Sequence, residues 1–143
     1  MELGLPTREQ EMEILRRAEF GASQVRPLLS PGDVVDMQDT VSNVHLADSV
    51  REYIVNLAAA TRQSENISVG VSPRGSTVLQ KACQAWAAFD GRSFVVPEDV
   101  QDLAPYVWSH RIIVGMDQDT ASGREAITEL LKSVPVALYR LRA

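Results

Sequence analysis

The sequence predicts an all-α fold, a helical bundle of five to six helices with at most a tiny two-stranded β piece. Three observations carry this. Apolar residues recur at three- and four-residue spacing along most of the chain. Capping residues stand at the edges of those periodic stretches. Two short segments are rich in β-branched residues, and no internal repeat or low-complexity tract breaks the pattern.

Taking the elements in order, Thr7-Arg8-Glu9-Gln10 is a capping-box pattern, with Thr7 as N-cap and Gln10 three residues on. Glu9, Glu11 and Glu13 load the early turns with negative charge and Arg16 and Arg17 close the end, which suits the helix dipole. The first helix therefore runs from Thr7 to Glu19, with Ile14, Leu15 and Ala18 on its apolar side. Residues 22–33 hold Pro27, Pro31 and Gly32 without a clear period and read as a connector. A short helix follows, in which Val34, Gln38 and Val41 recur at helical spacing beside Val35 and Met37. Asp48 to Arg62 is amphipathic, with Val50, Tyr53, Ile54, Leu57 and Ala58 on one face.

The stretch Ile67-Ser68-Val69-Gly70-Val71 alternates as a strand would, and Arg92 to Val96 is its expected partner. Between them lies the central helix, opened by Ser72 as N-cap and Pro73 at the first helical position and stopped by Gly91. Val78, Leu79, Ala82, Cys83, Trp86 and Phe89 are expected to form its buried stripe. Trp86 and Trp108 are accordingly read as packing residues. Pro97-Glu98-Asp99-Val100 opens the next helix, whose face is Val100, Leu103, Ala104 and Val107. Residues 116–123 read as a loop. The last helix covers Arg124 to Ser133, burying Ile127, Leu130, Leu131 and Val134, and Pro135 ends it.

Composition narrows the function classes. A chain of 143 residues with 45% hydrophobic and 23% charged residues is one domain that buries a core without staples. A formal charge of -5 disfavours a stand-alone nucleic-acid binder, because counterion release needs a basic surface. One cysteine, Cys83, and two histidines, His45 and His110, build neither a disulfide nor a zinc site. Cys83 sits in an apolar run and reads as a small core residue. No run approaches the roughly 20 apolar residues of a membrane span, and Met1-Glu2-Leu3-Gly4 lacks the start of a signal peptide. The expectation is a cytoplasmic chain.

Catalytic constellations are missing. There is no G-x-x-x-x-G-K-[ST], no G-x-G-x-x-G on a strand-to-helix turn, and no nucleophile elbow. A Cys-His pair would need the core-facing Cys83. One residue stands out physically. Arg74 occupies the second position of the central helix, where the dipole is positive and backbone N–H groups lack partners. A guanidinium is unfavourable there by a few tenths to about 1 kcal/mol. Helix placement alone leaves three readings: a solvated surface arginine, an ion pair with Glu65, or half of an anion site.

Gly70-Val71-Ser72-Pro73-Arg74-Gly75 is similar to the Gly-Ala-Ser-Pro-Arg-Ala motif of MoxR-family AAA+ ATPases. Tyr53-Ile54 with Thr61-Arg62 resembles the family's Tyr-Ile…Thr-Arg helix, and Gly91-Arg92-Ser93-Phe94-Val95-Val96-Pro97-Glu98-Asp99-Val100 resembles its Gly-Arg-x-Tyr-Val-x-Pro-x-Asp-Val stretch. Ala104-Pro105, His110-Arg111 and Val134-Pro135-Val136 continue the order, and Leu5-Pro6 with Glu11 resembles the Tyr-Pro…Glu segment after the family's core ATPase domain. The ordered set covers nearly the whole chain. Val71 and Gly75 depart from it, since alanines are usual at both places.

The resemblance implies a C-terminal AAA+ lid: residues 1–30 as helix and connector following an ATPase core, residues 31–143 as the lid bundle, and Met1 inside a longer protein. It implies that Arg74 is the sensor 2 residue, with Ser72 and Pro73 beside it in the nucleotide site. No catalytic residue and no metal ligand is expected in this chain. ATP and Mg2+ would belong to the full-length parent, an ATPase that works as a hexameric ring. Expected partners are its own core domain, neighbouring subunits and proteins with von Willebrand factor A domains, on which the family acts in a chaperone-like way. One surface should be unusually apolar where the lid packs on the core. His110 and Arg111, which suit a helix end by charge, would then be structural or would pack on the core. The rival class is a stand-alone helical protein-interaction or DNA-binding module, with 72–90 and 97–109 as a helix-turn-helix pair. The acidic charge and the absence of Arg and Lys from the face of 97–109 argue against DNA.

Overall fold

A computed structural model describes residues 4–19, 26–115 and 122–136. The expected loop at 116–123 therefore lies mostly outside the described residues. The chain divides into two units, Met1–Asp33 and Val34–Ala143.

The first unit holds α1 (Arg8–Glu19). The Thr7 box forms as the sequence requires: Gln10 N–H donates to Thr7 Oγ1 at 3.3 Å and Thr7 N–H to Gln10 Oε1 at 2.9 Å. Arg17 pairs with Glu13 at 3.0 Å. Ile14 and Leu15, the expected apolar side, are exposed.

The connector is shorter than its composition suggests, because α2 begins at Pro31 and runs to Ser42. Pro31 is a helix opener here, not a breaker. Ser30 and Asp33 close a second capping box, with Ser30 N–H on Asp33 Oδ2 at 2.7 Å and Asp33 N–H on Ser30 Oγ at 3.2 Å. The Ser30 hydrogen bonds hold the Asp33 carboxyl below its usual range.

The second unit contains α3 (Asp48–Gln63), β1 (Ile67–Val69), α4 (Pro73–Phe89), α5 (Pro97–Trp108), a 3-10 turn (Ser109–Arg111), β2 (Ile113–Val114) and α6 (Gly123–Ser133). Val50, Tyr53, Ile54, Leu57 and Ala58 of α3 are buried as their spacing demands. They meet Leu79, Cys83 and Ala87 of α4, Val100, Ala104 and Trp108 of α5, and Ile127 of α6 in one cluster. Leu130, Leu131 and Val134 are partly buried against it. Ser122 and Glu125 cap α6 reciprocally.

Two expectations are corrected. β1 pairs antiparallel with β2, Ile67 opposite Val114 and Val69 opposite Ile113, and not with residues 92–96. That segment already has a partner: His45 N–H donates to Ser93 C=O at 2.8 Å and Val95 N–H to His45 C=O at 3.0 Å. The second correction concerns α4. Its fully buried row is Gly75, Leu79, Cys83 and Ala87, whereas Trp86 is 46% and Phe89 88% exposed. Each residue turns the helix by about 100°, so Phe89 points roughly 200° away from Ala87. The two aromatic rings stack on one another, 6.2 Å apart, outside the core. Val78 and Ala82 are half-buried. Small residues in the buried row let α4 lie close against its neighbours, and Gly91, with φ 73°, ends the helix in the left-handed region.

The α4–α5 junction is tied by charge. Arg92 clamps Asp99 with two bonds, Nη1 to Oδ2 at 2.9 Å and Nη2 to Oδ1 at 2.7 Å, and reaches Asp90 Oδ2 through Nε at 3.0 Å. Asp99 is buried and also caps α5 by accepting Val96 N–H at 2.9 Å.

Candidate functional site

The site is the turn that launches α4. Ser72 is its N-cap in extended conformation and Pro73 occupies the first helical position. Gly75 N–H meets Ser72 C=O at 2.8 Å and Ser72 Oγ at 3.4 Å. Arg74 follows Pro73 and is exposed. Glu65 does not pair with it: among the described residues none of Arg62, Arg74 and Arg111 forms an ion pair. A cation at the positive end of a helix, with no carboxylate beside it, is free to meet an external anion.

The turn beneath Arg74 is fixed from several directions. Val71 is fully buried. Its N–H donates to Thr61 Oγ1 at 2.9 Å, and its C=O accepts from Arg62 Nε at 2.8 Å. Thr61 is itself anchored, donating to Ala58 C=O at 2.7 Å. Gly70 lies against the α3 backbone, where a Cβ would come within 2.8 Å of Arg62 N and Cα. Only glycine permits that approach. On the other side Trp108 Nε1 donates to Gly75 C=O at 3.0 Å. Arg111 stands near the same place, its Cδ 3.9 Å from where a Gly75 Cβ would sit.

The pieces named from sequence therefore meet: Ser72, Pro73 and Arg74 form one turn, and Arg111 comes close to it. His110 lies in the same 3-10 turn as Arg111 and is exposed. Sequence reasoning missed how Thr61, Arg62 and Trp108 hold the turn. Two signals were available: Thr61-Arg62 recurs with the arginine motif in the family pattern, and Trp108 is an indole that needs an acceptor when buried.

Two other candidates are less suited. Cys83 is buried at the centre and its thiol is pushed up to about 12, by burial first and by Asp99 second. It is no nucleophile at neutral pH. The exposed positions of α5 include Glu98, Asp102 and Tyr106, spaced by four on one face. Two carboxylates there against one cation, Arg124 over the Tyr106 ring at 4.3 Å, do not favour α5 as a recognition helix.

Comparison with known proteins follows the same lines. The AAA lid domain family model matches residues 59–130, which contain the whole turn. A protein of Bacillus subtilis, the uncharacterized YeaC, is 33% identical over 98% of this chain and 45% of its own length. Chaperone MoxR1 of Mycobacterium tuberculosis is 30% identical over 92% of this chain and 38% of its own length. A crystal structure of a candidate ATPase from Cytophaga hutchinsonii superposes with a TM-score of 0.75 at 27% identity, covering 95% of this chain and 45% of that one. The chain thus spans less than half the length of these relatives.

Proposed function

Because the chain belongs to the AAA lid domain family, as the C-terminal lid of a MoxR-type AAA+ ATPase, we propose that it closes over ATP held by the core domain of the same protein. In this reading the lid couples nucleotide state to remodelling of partner proteins, as part of a hexameric ring in the cytoplasm. Residues 1–30 connect it to the core and residues 31–143 form the lid. Proteins with von Willebrand factor A domains are the partner class to test first.

The carrying observation is Arg74: exposed, unpaired among the described residues, and held at the start of α4 by a turn with little freedom. Its guanidinium is the sensor 2 group that would bind the nucleotide phosphates. Ser72 and Pro73 would set its direction by fixing where the helix begins. ATP supplies the phosphoanhydride bond whose hydrolysis drives the cycle, with Mg2+ screening its phosphates. In this reading Mg2+ is held by the core domain.

The test is Arg74→Ala in the full-length protein. A charge-assisted hydrogen bond contributes about 1.5–3 kcal/mol, so ATP binding or turnover should fall roughly 10- to 150-fold while the lid stays folded. Arg74→Lys should rescue poorly, because a point charge does not reproduce the planar fork. Turnover at the wild-type rate refutes the reading, as does unfolding of the lid.

A further inference from the structure

The backbone immediately before Ser72 is held by two consecutive side chains of one helix. Thr61 takes the N–H of Val71 at 2.9 Å and Arg62 takes its C=O at 2.8 Å. Thr61 is buried, while Arg62 is exposed and spends its Nε on the turn. Both polar groups of the peptide residue that precedes the helix cap are thereby referred to the last turn of α3. Gly70 lets the chain run flat against that same turn. The direction in which α4 starts, and with it the position of Arg74, is set by α3 and not by α4 alone.

Resting on the sensor 2 reading of Arg74, we infer that Arg62 is a positioning residue for it. Arg62 acts through the carbonyl of Val71, with Thr61 as the second anchor, and does not itself need to touch nucleotide. The bond uses Nε alone, and this makes the role separable from the charge. A glutamine at 62 places its Nε2 donor one bond beyond Cδ, where arginine has Nε, so Arg62→Gln keeps the bond and removes the charge. Arg62→Met keeps a side chain of similar length and removes the bond.

The experiment measures the affinity of the full-length protein for a fluorescent ATP analogue, with circular dichroism confirming that each variant is folded at the assay temperature. Arg62→Met should weaken binding roughly three- to tenfold, the scale of one net hydrogen bond, and Arg62→Gln should stay within about twofold of wild type. In the Arg74→Ala background Arg62→Met should add nothing further, because a positioning residue acts only through the group it positions. Four results overturn the inference alone: Arg62→Met binding like wild type although Arg74→Ala does not, Arg62→Gln as weak as Arg62→Met, additivity with Arg74→Ala, or an Arg62→Met lid that unfolds. If Arg74→Ala itself binds normally, the sensor 2 reading falls and takes this inference with it.

Discussion

Gly75→Ala is the change that tests the packing under the α4 turn most sharply. A Cβ at that position would lie 2.6 Å from Val71 Cγ1, well inside ordinary contact, and 3.7 Å from Trp108 Nε1. Val71 is β-branched and fully buried, so its methyl has little room to turn away. Alanine gains up to about 1 kcal/mol over glycine in a helix, but overpacking costs about 1–3 kcal/mol. The single variant should lose about 1 kcal/mol net. Val71→Ala removes two buried carbons and should lose about 2 kcal/mol, transfer plus cavity. Together the changes should not add. The alanine methyl at 75 would fill space left at 71 and keep its helix propensity, so the double variant should sit within about 1 kcal/mol of wild type, a coupling near 2 kcal/mol. Urea unfolding of the chain, followed by circular dichroism for all four members of the cycle, measures this. Losses that add within about 0.5 kcal/mol refute it. The two departures from the family's alanine pair would then be unrelated, whereas coupling makes valine and glycine one exchange of size across a contact.

Two further outcomes are expected. Arg92→Ala should lower the urea midpoint in the same assay, because it leaves the Asp99 carboxylate, only 5% exposed, without the two bonds from the guanidinium; an unchanged midpoint would mean water already satisfies Asp99. Cys83 should resist thiol reagents in the native protein and react once unfolded, and because its folded pKa is raised from 9.0 to about 12, its contribution is full below about pH 9 and is lost between pH 9 and 12 as the unfolded thiol ionises first. Fast native labelling, or no difference in the alkaline limb between wild type and Cys83→Ala, would refute the burial.

The helices were legible because their signals are local. Thr7, Ser72 and Pro97 mark starts, and the period of Val50, Tyr53, Ile54 and Leu57 fixes the face of α3. The strand pairing was not, because pairing depends on what else competes for a segment, and His45 lies far from Phe94 in sequence. The aromatic residues of α4 misled for a different reason. Trp86 and Phe89 dominate any count of hydrophobicity, yet the buried row is Gly75, Leu79, Cys83 and Ala87, three of them small enough to permit close approach. Arg74 was visible as an anomaly of charge against dipole. The atoms that hold it in place were not, since the bond that Thr61 accepts from Val71 N–H and the one that Trp108 donates to Gly75 C=O carry no sequence period of their own.

The helices α4 and α5 run antiparallel and are fastened at both ends. At one end Trp108 bonds Gly75 C=O; at the other Arg92 locks Asp99. Two fixings this far apart oppose sliding of one helix along the other. A helix of 17 residues is about 25 Å long. A tilt of the pair about its Arg74 end would therefore carry Trp86 and Phe89, with their stacked rings, through a displacement set by that length.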